Sequence, residues 1–354
     1  MAKLIFCHFY YFLIIRLMVL PAIGNTISFS DIQTEFGGVN PITISEYYNN
    51  NSSNYVVNIA SIPSTFGQTL SMSFFNGKSK TATPTLPTIV SNGVAASLTQ
   101  NGTYYYYTFT STTGTNTINF ADARNCSILV VGGGGGGGGG FGGSGGGGGN
   151  VNYKGSYAFN SGLYTITVGA GGTGGRAYRP TPRAMGGLVG NPSKIVFNGS
   201  DLIVANGGGA SDSAYTSAQG YHAANGGGSS ANINNLITNY SGGNGFFNST
   251  NLWWVSGGGA GAGGNGVSGM MTGSTLNSYG NGGPGYTSSI TQTSVIYAGG
   301  GAGAPAAGGV TTANAGINGT GQANYGGGGR GYSNDTEAGQ AGKNGCVIIA
   351  FTIP

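Results

Sequence analysis

The sequence predicts an all-β fold, in which a β-sandwich carries an inserted bundle of glycine helices and follows a small N-terminal docking module. From residue 104 onward, short runs of β-branched and aromatic residues recur, as is typical of strands. No segment after residue 100 combines helical periodicity with capping residues. Glycine makes up 75 of the 354 residues and is concentrated in blocks that follow the ends of the strand-like runs.

Two of the predicted strands form a recognisable hairpin. Lys194–Phe197 and Leu202–Ala205 are separated by Asn198-Gly-Ser-Asp201, and an Asn-Gly turn favours the primed geometry of tight hairpins. The full set of predicted strands is Tyr104–Thr110, Thr115–Phe120, Ile128–Val131, Leu163–Val168, Lys194–Phe197, Leu202–Ala205 and Val347–Ile353.

The longest glycine tract, Gly132–Gly140, directly follows one of these strands. An extended threefold helix has no internal hydrogen bonds, so a buried one must bond to its neighbours. The 16 Phe and 21 Tyr residues of the chain argue against a disordered spacer. We therefore predict that Gly132–Gly140 and Gly257–Gly264 lie in parallel or antiparallel polyglycine II helices inside one bundle. Ile128–Val131 and Val347–Phe351 should be neighbouring strands beside it.

The charge distribution excludes some classes of partner. Charged residues are only 6% of the chain, and none occurs between Asp212 and Arg330. The net charge of +4 arises from isolated side chains, with no basic run of the kind that binds nucleic acid. Among the three cysteines, Cys126 and Cys346 each open an apolar run, which leaves open a cross-strand disulfide or two buried thiols.

Catalytic and cofactor motifs are weak throughout. Gly132-x-Gly134-x-x-Gly137 matches a dinucleotide-binding pattern only because the tract is all glycine, and no amphipathic helix follows it. His8 and His222 are the only histidines, and the eight carboxylates form no obvious acid–base pair. We expect no enzymatic activity, no cofactor and no metal.

The first residues allow two interpretations. In the first, residues 1–17 belong to a secretory signal or membrane anchor whose apolar part is residues 4–20. In the second, they are an extension ahead of a true start at Met18. The three segments Met18–Gly38, Asn40–Tyr48 and Leu70–Ser79 resemble, in this order, the opening of fibre and structural proteins of phages and large DNA viruses. The resemblance favours Met18 as the start, and a mature chain without Met1–Leu17.

The same resemblance sets the domain prediction. It implies that residues 18–80 attach the chain to other virion proteins. The Pro/Thr-rich stretch that opens residues 81–103 marks a linker, and residues 104–354 form the glycine-rich β domain.

The glycine-rich region also resembles the glycine-rich domain of viral fibre proteins and, more distantly, the tumour-necrosis-factor-like region of anaplastic lymphoma kinase receptors. Gly162–Gly172, Leu202–Gly209 and Tyr325–Tyr332 carry this resemblance. It implies a jelly-roll or tumour-necrosis-factor-like sandwich, and we expect a homo-oligomer such as a trimer. In phage relatives, such glycine helices present loops that recognise host-surface glycan or protein.

Aromatic residues in the uncharged region are the candidate binding residues. They should form loops at the ends of the glycine helices, where rings with Asn and Ser nearby suit carbohydrate faces. An equally weighted alternative is that they cap the apolar ends of the glycine layer. The candidates are Phe246, Phe247, Trp253, Trp254, Tyr279 and Tyr286.

The sequence as a whole favours a virion structural protein, a fibre or adhesin at the virion surface. One alternative is a secreted or membrane-anchored glycine-rich matrix protein of a cell surface. Another is a polysaccharide hydrolase on a fibre scaffold.

Overall fold

The structure is a computed structural model that describes most of the compact unit Thr85–Pro354. The predictions for residues 1–17 and 18–80 lie outside the described residues. The described ranges are 86–90, 96–114, 116–140, 142–176, 186–212, 226–248, 253–272, 275–278, 280–306, 325–332 and 337–353.

The described residues form strands and extended tracts without a helix, which confirms the all-β prediction. They contain nineteen strands in five sheets. The strands are β1 (Thr88–Ile89), β2 (Ser97–Asn101), β3 (Tyr104–Phe109), β4 (Asn116–Phe120), β5 (Arg124–Val131), β6 (Val151–Phe159), β7 (Gly162–Thr167), β8 (Ser193–Phe197), β9 (Ser200–Ala205), β10 (Ser229–Ile233), β11 (Leu236–Tyr240), β12 (Phe246–Asn248), β13 (Trp253–Val255), β14 (Met270–Thr272), β15 (Thr275–Ser278), β16 (Tyr286–Ser288), β17 (Val295–Tyr297), β18 (Pro305–Ala306) and β19 (Cys346–Thr352).

Two large sheets share one hydrophobic core. The five-stranded sheet has the order β1-β4-β7-β8-β9, and the seven-stranded sheet has the order β11-β10-β6-β5-β19-β3-β2. Ile118 and Ile166 from the smaller sheet pack in the same buried cluster as Ile128, Phe159 and Ile349 from the larger one. Alternation along the strands produces this core, because every second residue of β4 is buried.

A second apolar cluster covers the opposite face of the seven-stranded sheet, which we call its outer face. Leu129, Val131 and Ile348 project from that sheet into a cluster that includes Ile290 and Tyr297. Tyr297 belongs to the β16–β17 hairpin, and Ile290 lies in the segment that joins its two strands. The Tyr104 hydroxyl fixes this segment by donating to the Ile290 carbonyl oxygen at 2.8 Å.

The predicted strand pairs are confirmed. β8 and β9 form the antiparallel hairpin, and Asn198 and Gly199 have φ of 50° and 77°, as a primed turn requires. β5 and β19 are antiparallel neighbours, with Val131 opposite Cys346. The sequence prediction missed the nine-residue strand β6 and the β10–β11 hairpin, whose polar residues and internal glycine weaken the strand pattern.

Both candidate disulfide cysteines are free, buried thiols. Cys346 lies opposite Val131 at one end of the β5–β19 pair, whereas Cys126 lies near the other end, beyond the Ser127–Ala350 pair. The two thiols also belong to different cores. The disulfide is therefore not formed, and burial raises the pKa of Cys126 to about 12 and that of Cys346 further.

Candidate functional site

The glycine tract that follows β5 donates hydrogen bonds with a period of three residues. Gly132, Gly135 and Gly138 donate their amides to Asn150, Gly147 and Ser144, at 2.8–2.9 Å. Gly133 and Gly136 donate to Asn191 and Leu188, and Gly134, Gly137 and Gly140 donate to Lys343, Gln340 and Glu337. In each case the partner numbers fall as the tract numbers rise, so these three neighbours run antiparallel to the tract.

The carbonyl oxygens of the same tract bind three further neighbours. Gly133 and Gly136 accept from Gly208 and Ser211, Gly134 and Gly137 from Gly172 and Gly175, and Gly135 and Gly138 from Gly329 and Tyr332. These three neighbours run parallel to the tract. Gly132–Gly140 is therefore a central tract whose backbone bonds to six surrounding segments.

The number of segments that surround a tract determines how many of its positions must be glycine. A Cβ atom on Gly134, Gly135 or Gly136 would overlap a carbonyl group of a different neighbour each time, and every position from Gly132 to Gly139 meets a backbone carbonyl oxygen in this way. On the outer tract 337–345 only every third residue faces inward. A Cβ on Gly339, Gly342 or Gly345 would overlap the central tract or Val131, whereas Ala341 is exposed.

Several buried serines form hydrogen bonds through their hydroxyl groups to the main chain of the glycine tracts or of the residues beside them. The Ser193 hydroxyl bonds to Val131 and Gly169, the Ser211 hydroxyl accepts from Gly187, and the Ser144 hydroxyl bonds to Asp212. The Ser256 hydroxyl donates to the Gly142 carbonyl oxygen. The sequence pattern does not predict these bonds, although Ser144 stands out as the single polar residue in Gly142–Gly149.

The glycine tracts have a sheet end and a far end. At the sheet end, Gly132 follows β5 directly and donates to Asn150, which precedes β6, at 2.9 Å. At the far end, Gly143 donates to Tyr332 and accepts from Ala304, both at 3.0 Å. Ser256 in turn donates its amide to Ala304 at 3.3 Å, which fixes the residue after β13 at the far end.

Four candidate binding residues come together at this far end. Phe246 and Phe247 lie on β12, Trp253 and Trp254 lie on β13, and the two strands pair with Phe247 opposite Trp254. β18 completes this three-stranded sheet by pairing with β13. The prediction that these residues form loops is therefore wrong, because main-chain pairing between β12 and β13 orders them as strands.

The β14–β15 hairpin lies beside β12 and β13. Val255 and Met271 are buried, whereas Phe246 is 37% exposed and Met270 is 56% exposed. We call β12, β13, β14, β15 and β18 the far-end strands. They contain no Asp, Glu, Lys, Arg or His, and Phe246 and Met270 add exposed apolar side chains to their backbone hydrogen-bonding groups.

Residues 110–352 match a family of glycine-rich domains. The chain belongs to this glycine-rich domain family. The match runs from the end of β3 into β19, so the glycine-rich domain includes most of both large sheets, all the tracts described above and the far-end strands. No curated protein matches the chain significantly.

The other two candidate residues are not part of the far-end strands as described. Tyr286 lies in β16 opposite Tyr297, packs against the second core of the glycine-rich domain, and has its ring centre 6.3 Å from that of Tyr153. Burial raises the pKa of Tyr286, so its hydroxyl stays protonated at neutral pH. Tyr279 lies outside the described residues.

The described part of the glycine-rich domain contains no group of three His, Cys, Asp or Glu side chains placed to hold a metal ion. It also includes no helix that could cross a membrane. The far-end strands can contribute apolar contact and neutral hydrogen bonds to a ligand.

Proposed function

We propose that the glycine-rich domain is a β-sandwich of the jelly-roll or tumour-necrosis-factor-like type that carries a bundle of polyglycine II helices. The three-residue hydrogen-bond period of Gly132–Gly140 supports this architecture, because three residues per turn is the repeat of the extended threefold helix. On a rise of about 3.1 Å per residue, the far end lies roughly 25 Å from the sheets.

The protein in this proposal is a non-enzymatic component of a virus particle, a fibre or adhesin at the virion surface. The observation that carries the proposal is the arrangement of the far-end strands. Glycine tracts whose backbones are hydrogen-bonded to one another hold them at the opposite end of the domain from the two large sheets. A rigid support that presents a small apolar surface is what an attachment protein needs, because a pre-ordered surface loses little entropy on binding.

The other end of the chain supplies the attachment to the particle. The resemblance of residues 18–80 to the opening of viral fibre proteins supports this role for the N-terminal module, with other virion proteins as its partners. A homotrimer is one assembly that would bring several far ends to one host surface and increase binding through multivalency.

The ligand of the far-end strands in this proposal is a glycan or a protein on the host surface. The strands lack charged side chains, which disfavours phosphate groups and nucleic acid as ligands. The aromatic and Met residues of these strands, together with their Asn, Ser and Thr residues, favour a ligand with apolar faces and hydroxyl groups around them.

Mass spectrometry of purified particles tests the proposal. The chain should be recovered in constant ratio to the major capsid protein after the particles are banded and washed. Recovery from the culture medium or a cell envelope, with none in the particles, would instead support the matrix-protein alternative. Release of reducing ends from host polysaccharide by the purified chain would support the hydrolase alternative.

A further inference from the structure

Three small residues lie side by side on the outer face of the seven-stranded sheet. Ala350 of β19 is opposite Ser127 of β5, and the Ser127 hydroxyl donates to the Gly155 carbonyl oxygen of β6 at 2.8 Å. The register of β5 against β6 shifts between Cys126 and Ile128, and the extra residue lies on β6, so Gly155 and Ser156 form a β-bulge opposite Ser127. Bulges often re-aim side chains next to functional sites.

These small residues form the floor of a cavity of about 160 Å³, which we call the bulge depression. Its volume is close to the roughly 150 Å³ that accommodates one benzene-sized ring in a protein. The other residues that line it are Tyr104, Asn125, Cys126, Ser156, Phe351 and Thr352, and the side chains of Cys126 and Phe351 belong to the core on the opposite face of the sheet. Tyr104 is held in place, because its hydroxyl donates to the Ile290 carbonyl oxygen.

The chemistry of the lining defines the class of ligand. Ser127, Ser156 and Thr352 supply hydroxyl groups, Asn125 supplies an amide, and Tyr104 supplies an aromatic ring. Among the described residues, no Asp, Glu, Lys, Arg or His lines the bulge depression. A pocket with one aromatic wall and several neutral hydrogen-bonding groups matches a ring that carries hydroxyl groups and no charge.

We propose that the bulge depression binds a single neutral saccharide unit. The sugar ring packs against Tyr104, and its hydroxyl groups bond to Asn125, Ser127, Ser156 and Thr352. This site is separate from the far-end strands. The glycine tracts begin beside Cys346, at one end of β19, whereas Thr352 and the bulge depression lie at the other end of that strand. The inference does not rest on the proposed attachment function.

Gly155 allows the bulge depression to be blocked without disturbing the fold. A Cβ atom there would meet only the Asn234 side chain and the Tyr153 ring, at 3.7–3.8 Å, which is ordinary contact distance. Gly155 itself lines the bulge depression, so Gly155→Leu should occupy part of it, and Gly155→Ala is a smaller version of the same change. Asn125→Ala removes one polar group, and Asn119→Ala on β4 of the other sheet is the matched control.

The experiment titrates the full chain with glucose, galactose, mannose and N-acetylglucosamine, with binding followed by ligand-observed NMR. We expect at least one of these sugars to bind saturably. Gly155→Leu should weaken its binding at least about tenfold, because the leucine side chain blocks the site. Asn125→Ala should weaken it about threefold, because one hydrogen bond is lost. Asn119→Ala should bind like the parent chain.

Two results would overturn the inference. One is that none of the four sugars binds saturably at tens of millimolar, and the other is that a folded Gly155→Leu chain binds sugar with the affinity of the parent chain. If Gly155→Leu does not fold, Gly155→Ala and Asn125→Ala decide by the same comparison. A Trp253→Ala, Trp254→Ala double variant should keep the sugar affinity of the parent. Loss of sugar binding in that variant would place the site at the far end and contradict this inference without contradicting the attachment proposal.

Discussion

The hydroxyl of Ser193 donates to the carbonyl oxygen of Val131 at 2.6 Å, at the point where β5 becomes the central glycine tract. The same hydroxyl accepts the amide of Gly169 at 2.8 Å, where the chain leaves β7 and Val168 for another tract. Ser193 is fully buried. One side chain thus bonds the main chain of two tracts as they depart from the two large sheets.

Ser193→Ala should lower the free energy of unfolding by about 2 kcal/mol. The change leaves the Val131 carbonyl and the Gly169 amide without this buried partner, and an unsatisfied buried polar group costs about 1–3 kcal/mol. Chemical denaturation would measure the effect. The control is Ser161→Ala, because Ser161 is exposed and its loss should change stability by less than about 0.5 kcal/mol. Equal stability of the two variants would show that the Ser193 bonds contribute nothing.

A side chain in the central tract should be far more costly than one on an outer tract. Gly136→Val places a Cβ against the Thr173 carbonyl, and relief requires the backbones to separate. We expect a loss of about 3 kcal/mol or more, which corresponds to a fall in Tm of roughly 10 °C for a domain of this size.

The matched control for Gly136→Val is Ala341→Val on the outer tract. Ala341 is exposed between tract positions that face inward, so the larger side chain has room. This variant should melt within about a degree of the parent. The steric account would be wrong if both valine variants melted at the same temperature.

Much of the fold follows from the sequence because the signals are local. Alternating residues predicted β4 and β7, and Asn198-Gly199 predicted the β8–β9 turn. The six-neighbour arrangement of Gly132–Gly140 could be expected only in outline, since glycine has no side chain to encode which segment lies beside it. The three-residue spacing of Gly339, Gly342 and Gly345 was a usable signal for an outer tract.

The candidate site was predicted less well than the fold. The cluster of aromatic residues identified Phe246, Phe247, Trp253 and Trp254, which share one sheet, but not their strand conformation. Pairing of three-residue strands depends on tertiary context, because such short segments have little preference of their own. Tyr286 was grouped with them by sequence proximity, although the chain returns to the sheet end before β16.

The free energy of unfolding should fall as the pH rises above about 9. The buried Cys126 thiol has a pKa of about 12 in the folded chain, against an ordinary value of 9.0. The unfolded chain therefore loses this proton first, and stability falls by up to about 1.4 kcal/mol per pH unit between these values. Cys346 and the buried tyrosines, including Tyr297, act in the same direction.

Cys126→Ala isolates the contribution of one thiol. Denaturation curves between pH 8 and pH 11 should give a shallower alkaline slope for this variant than for the parent, by up to about 1.4 kcal/mol per pH unit. If the alkaline slopes of the variant and the parent were identical, Cys126 would have to be ionised or accessible in the folded chain.

Changing both Trp253 and Trp254 to Ala should abolish attachment of the purified chain to host cells and leave its Tm nearly unchanged. Binding through aromatic and neutral groups should also vary little with salt, unlike binding through a basic patch. Cell-binding assays at low and high salt would measure both effects. Leu163→Ala is the control, because Leu163 is exposed on the five-stranded sheet.

Two other outcomes of the tryptophan experiment are informative. Loss of attachment together with a large fall in Tm would identify the tryptophans as caps of the glycine bundle, since truncated buried aromatics cost about 3–5 kcal/mol. Unchanged attachment by a well-folded double variant would remove these residues from the attachment surface.

Hydrogen–deuterium exchange of the native chain is the most direct test of the glycine bundle. Seven consecutive amides, Gly132 to Gly138, donate to neighbouring segments at 2.8–3.0 Å. We expect peptides that cover Gly132–Gly149 to exchange at least about a thousandfold more slowly than an unprotected chain, comparable with peptides from β5 and β19. Exchange of the glycine peptides at the unprotected rate, while β5 and β19 stay protected, would show that the tract is a spacer and would contradict the bundle.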